Sequence, residues 1–155
     1  MRQRGFSLIE LVLVIVLLGI LAVYAAARFS DRGYDLRAAG VELVQAIRHA
    51  QQRSMSNSGA GRYAIAIQPS GFRVTQGGVD VKNPMTGQAP YTDDGWAGRG
   101  ISTNVAATVQ FDARGEPLDG TTGNPIAPLA IVLSDGNGDS LTVTLQPLTG
   151  YARIQ

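Results

Sequence analysis

The chain has 155 residues, with 13 Lys and Arg against 12 Asp and Glu, 19 Gly, 7 Pro and no Cys. The lack of cysteine excludes disulfide bracing, thiol chemistry and cysteine-ligated metal, and the balanced charge excludes a generic polyanion binder. Roughly 100 residues follow the helical N-terminal stem, enough for one small domain with one core, and the glycine and proline content points to a turn-rich β head.

The chain opens with Arg2 and Arg4, then turns apolar from Phe6 to Ala27, FSLIELVLVIVLLGILAVYAAA. At about 1.5 Å per residue this run makes a helix of roughly 33 Å, against a hydrocarbon core of about 30 Å. The run predicts a membrane span, and the preceding arginines place the N-terminus on the cytoplasmic side with the bulk of the chain outside. A secretory signal peptide is the alternative, with Ala25, Ala26 and Ala27 as its small-residue cleavage site, although such peptides have apolar cores of only about 7 to 15 residues. Glu10 favours the anchor. A carboxylate inside an apolar span costs up to about 3 kcal/mol on insertion scales and is there for a partner, so a cation is expected beside it.

Residues 4–21, RGFSLIELVLVIVLLGIL, resemble the N-terminus of the type IV pilin superfamily, which includes the pseudopilins of type II secretion. The resemblance implies that residues 1–5 are a leader, cut after Gly5 by a prepilin peptidase, and that the new terminus at Phe6 is N-methylated. It implies further that Glu10, at the fifth mature position, meets the Phe6 amine of a neighbouring subunit and sets the register of assembly. Such pairing suits the physics of a carboxylate in a bilayer or filament core, which must be paired or neutralised. One position departs from the family: Ala27 stands where many members carry a helix-breaking proline. Loss of the leader leaves 11 basic against 12 acidic residues.

Residues 28–56 read as the amphipathic half of the same helix. Leu36, Gly40, Leu43, Val44, Ile47 and Ala50 recur at helical spacing, with Arg37, Glu42, Gln45, Arg48 and Gln52 on other faces. The apolar stripe is expected to lie on a sheet. Asn57, Ser58, Gly59 and Gly61 supply a stop near Ser56, and residues 57–155 form the β head. Tyr63 to Gln68 and Phe72 to Thr75 read as a hairpin around Pro69-Ser70-Gly71. Residues 77–100 read as a long variable loop with one short strand at Val79 to Lys82. Strands follow at Val105 to Phe111, Leu129 to Ser134, Leu141 to Gln146 and Tyr151 to Ile154, with a turn at Ala113-Arg114-Gly115. The predicted class is α+β, a long N-terminal helix packed on an antiparallel sheet.

The head sequence VQFDARGEPLDG, with LAIVLSDG, LTVTLQ and LTGYARIQ behind it, is similar to GspH/FimT-type minor pilins and pseudopilins. The stem residues Ala46-Ile47-Arg48-His49-Ala50-Gln51 also resemble the minor pilin-like proteins of mannose-sensitive haemagglutinin pilus systems. These resemblances imply other pilin or pseudopilin subunits and an inner-membrane assembly platform as partners. They imply an inner-membrane location followed by a pilus or pseudopilus filament.

Asp135, Asn137 and Asp139 alternate as in the first half of a calcium loop, but Ser140 and Gln146 stand where the glycine and glutamate of that loop belong. The Asp-Gly and Asn-Gly pairs equally predict a hairpin turn. Asp93 and Asp94 beside Trp96 read as solvated turn residues rather than a catalytic pair, since nothing fixes their separation across a substrate. His49 is a lone helical histidine without further ligands. No nucleophile, base and orienting acid can be drawn together, so no enzyme and no cofactor is expected. A role in DNA uptake would rest on Arg114 and Arg153, but residues 57–155 carry six basic against eight acidic side chains, which gives phosphates few cationic contacts. A filament subunit, a DNA-binding pilin and a plain anchored periplasmic domain are the competing functions.

Overall fold

The computed structural model describes residues 7–28, 32–57 and 61–155, and side chains of all of these but 25–28 and 32. The chain forms two compact units, Met1–Asp31 and Arg32–Gln155. The first contains α1, Leu8–Arg28. Its first turn closes through the Ser7 carbonyl, which accepts from the Glu10 amide at 3.0 Å and the Leu11 amide at 3.2 Å. The predicted continuation of one helix through residues 29–31 lies outside the described residues, as do the leader and part of the predicted helix stop at residues 58–60.

The second unit begins with α2, Arg32–Ser56, which stops where the sequence predicts. Its stripe is buried as predicted: Leu36, Ala39, Leu43, Val44, Ala46, Ile47 and Ala50 belong to the core. Arg37, Glu42, Gln45, Arg48 and Gln52 face outward. Ten strands follow. They make not one sheet but two, both antiparallel throughout.

The first sheet contains β1 (Tyr63–Gln68), β2 (Gly71–Gln76), β3 (Val79–Asp80), β4 (Tyr91–Asp93), β6 (Ala107–Phe111) and β7 (Pro117–Asp119). Its order is β3-β2-β1-β6-β7, and β4 also pairs with β2. The predicted hairpin is there: Gln68 pairs with Gly71 and Ile65 with Val74. The second sheet runs β10 (Ala152–Ile154), β9 (Ser140–Leu145), β8 (Leu129–Ser134) and β5 (Ser102–Thr103). Alternation sets which side chains face α2. In β8 and β9 these are Ile131, Leu133, Val143 and Leu145, all fully buried, while Ala130 and Val132 on the alternate positions are exposed. The stem half α2 packs against strands of both sheets, and burial of this apolar surface, at about 25 cal/mol per Å², is what joins them.

Residues 77–100 hold more structure than the long loop with one short strand that their glycine, proline and acidic content predicts. The short strand is there as β3, and the segment adds β4 and a 3-10 turn, Ala97–Arg99, to the head. It buries Tyr91 and Trp96 in the common core. Burial of the Tyr91 and Trp96 rings, about 150 to 250 Å² each, overrides the local turn composition.

Candidate functional site

The apolar N-terminal segment comes first because the sequence assigns most chemistry to it. Every described large apolar side chain of α1 is exposed, from 42% for Val14 to 80% for Leu8. Glu10, also exposed, lies in the first helical turn, where a negative charge is favourable to the helix dipole. Gly5 and Phe6, the predicted cleavage and methylation positions, lie outside the described residues. Among the described residues no helix is long and apolar enough to cross a membrane. The predicted span starts at Phe6, outside them, and α1 itself ends on the cation Arg28.

In the head, the Asp135-to-Asp139 stretch is the turn between β8 and β9. Asp135 Oδ1 accepts from the amides of Asn137 at 2.8 Å and Asp139 at 3.2 Å, so this carboxylate organises its own turn. Gly136 and Gly138 take positive φ there, the conformation that Asp-Gly and Asn-Gly turns require. Among the described residues no group of three or more acidic or histidine side chains is placed to hold a metal ion.

Arg114 is clasped by Asp112 and Glu116, each at 3.1 Å, in a turn whose Asp112 Oδ1 also accepts from the Arg114 and Glu116 amides. Its charge is therefore already matched locally. Arg153 stands on β10, paired with Thr144 of β9, and no contact joins it to Arg114 among those described. His49 is a packing residue, edge-on to Tyr91 at 5.5 Å and Tyr63 at 6.5 Å. Burial, then the nearby Arg53 charge, pushes its pKa down.

The arrangement that local reading of the sequence missed joins α2 to β4 and the following turn. Asp93, expected to be solvated, accepts from Trp96 Nε1 at 2.7 Å through Oδ2 and from the Gly95 amide at 3.1 Å through Oδ1. It also pairs with Arg99, whose Nη2 reaches Glu42 of α2 at 3.5 Å. The Glu42 carboxyl, though its side chain is 47% exposed, is pushed up, first by its partial burial and then by Asp93 beside it. Asp93 is also subject to burial, which raises its pKa, but hydrogen bonds from Glu42 and Gly95 and the Arg99 charge outweigh it and hold the group down. An open cleft of about 410 Å³ lies alongside, lined by these residues with Phe72, Tyr91, Asn83 and Met85. The missed signal was the spacing of Trp96 and Arg99, three apart and so on one side of the 3-10 turn that directly follows Asp93 at the end of β4.

Residues 1–26 match the family described as the prokaryotic N-terminal methylation motif. The match supports a type IV pilin-like protein, processed by a prepilin peptidase and assembling with other pilin subunits. No curated protein and no solved structure matches the chain.

Proposed function

We propose that this pilin-like chain is a minor pilin or pseudopilin. In this reading it is held in the bacterial inner membrane as a single-pass protein, N-terminus cytoplasmic and head periplasmic. After losing residues 1–5 it is extracted through the assembly platform and joins, initiates or tips a type IV pilus or type II secretion pseudopilus. The head is of the GspH/FimT kind, and its role is structural rather than catalytic.

The observation that carries this reading is α1, an apolar helix with its described large side chains exposed and a single carboxylate, Glu10. Leaving such a surface in water is unfavourable by about 25 cal/mol per Å², so α1 needs lipid or other helices around it. In either surrounding Glu10 needs a cation, and cleavage after Gly5 would create one at Phe6. The head supports a structural role, since Asp93, Asp112, Asp119 and Asp135 all serve as acceptors for their own turns. DNA uptake is less well supported because Arg114 is matched by two carboxylates.

The test is recovery of the full-length chain in sheared surface filaments from a host that carries a pilus or secretion machinery. Wild type is expected in that fraction, and Glu10→Ala, equally abundant in the membrane, is expected to be lost from it. Equal recovery of both would contradict the reading.

A further inference from the structure

The carboxyl pair Glu42 and Asp93 shares a single guanidinium, Arg99. The titratable and charged groups facing Glu42 among the described residues are Arg99 on the 3-10 turn and Asp93 and Tyr91 on β4. With one proton on the two carboxyls the set is neutral; without it the set carries one net negative charge. That balance matters because the same Asp93 oxygen that pairs with Arg99 also accepts from Trp96 Nε1. Trp96 is fully buried and packs edge-on to Phe72 at 6.1 Å. Three contacts within residues 91–99, from Gly95, Trp96 and Arg99, thus converge on the Asp93 carboxylate, and among the described residues Arg99 carries that cluster to α2 through its ion pair with Glu42, beside the packing of His49 on Tyr91.

We propose that Glu42, Asp93 and Arg99 form a proton-gated latch that fastens residues 91–99 to α2. With one shared proton the latch is closed and Trp96 is shielded; when Glu42 ionises, two carboxylates compete for Arg99 and the segment loosens over the adjoining cleft. The partial burial of Glu42 and its nearness to Asp93 across Arg99 make the proton leave at a higher pH than from an ordinary glutamate. The sign follows. Glu42 takes up a proton more readily in the closed state than in the open one, so closure is favoured at low pH and lost as pH rises through the raised value. Asp93 acts in the opposite direction: its closed-state contribution is lost only as pH falls through its depressed value. The latch is firmest in the acidic window between the two.

Trp96 is the chain's one tryptophan, so its quenching by acrylamide reads the latch directly in the full chain held in detergent micelles. Wild type is expected to show quenching that increases as pH rises out of the acidic window. Glu42→Gln, which keeps a neutral side chain at every pH, is expected to lose that increase. The same increase in Glu42→Gln, or a flat wild-type profile, would overturn the proposal. A measurement without any variant guards against misfolding: the carboxyl carbon resonance of Glu42 in the wild type should titrate with the midpoint of the quenching curve. Different midpoints would also overturn it.

Discussion

Gly40 of α2 faces Leu141 of β9 so closely that a Cβ on Gly40 would lie 2.6 Å from Leu141 Cδ2. This is where the stem half of the head comes down on the second sheet, and it explains a glycine in mid-helix, where it costs about 1 kcal/mol relative to alanine. Leu141 is only half-buried, and its methyl can swing aside. Gly40→Ala is therefore expected to stay within about 1 kcal/mol of wild type, the helical gain offsetting the displaced methyl. Gly40→Val, which adds branched bulk on the same vector, is expected to lose about 2 to 3 kcal/mol. Denaturant unfolding in micelles measures both.

Gly71 allows no such adjustment. A Cβ there would overlap the backbone carbonyl of Asp93, because β4 pairs antiparallel with the start of β2 through the Phe72–Asp93 pair. Backbone cannot rotate away as a leucine methyl can. Gly71→Ala is expected to destabilise the head by about 3 kcal/mol and to raise the exposure of Trp96. Amide hydrogen exchange across residues 91–99 should report the loss of β4 before the rest of the sheet.

Gln51 holds two distant turns with one nitrogen. Its Nε2 donates to the carbonyl oxygens of Gly115 at 2.9 Å and Thr149 at 2.7 Å. Gln51→Ala is expected to cost about 1 to 2 kcal/mol, the range for two part-exposed hydrogen bonds. The thermal midpoint of unfolding should fall accordingly, and Gln51→Glu, which cannot donate from the carboxylate, should not restore it.

His49 predicts a pH dependence of its own. Its folded-state pKa is lowered by burial and by Arg53, so the unfolded chain binds the proton more readily. Stability from this group is complete above the ordinary imidazole value and declines as pH falls through it. Between about pH 8 and pH 5, the range in which imidazoles titrate, the thermal midpoint should fall in wild type. The fall should be smaller in His49→Gln. An unchanged slope in that variant would assign the dependence to other groups.

How much the sequence revealed varied with the physical cause of each feature. The strands β8 and β9 were legible because one face of each is buried, which imposes a two-residue period on Ile131, Leu133, Val143 and Leu145. The stripe of α2 was legible for the corresponding helical reason. The strands β4, β5 and β7 have two or three residues each, too short for any period to show. Their existence depends on pairing partners far along the chain. The same holds for the cluster of Glu42 with Arg99, which are 57 positions apart. Glu10 stands out in sequence because a carboxylate in an apolar helix is conspicuous without any tertiary contact, whereas Gly5 and Phe6 are marked only by the resemblance of residues 4–21 to the type IV pilin N-terminus.

The central claim is that the chain is cut after Gly5 and keeps its stem. Its most direct test is intact mass and N-terminal sequencing of protein taken from membranes of a host with its prepilin peptidase, beside a Gly5→Ala variant. The account predicts a methylated Phe6 terminus in wild type and its loss in the variant. A Met1 terminus in both, or a terminus near Arg28 left by signal-peptide cleavage, would contradict it.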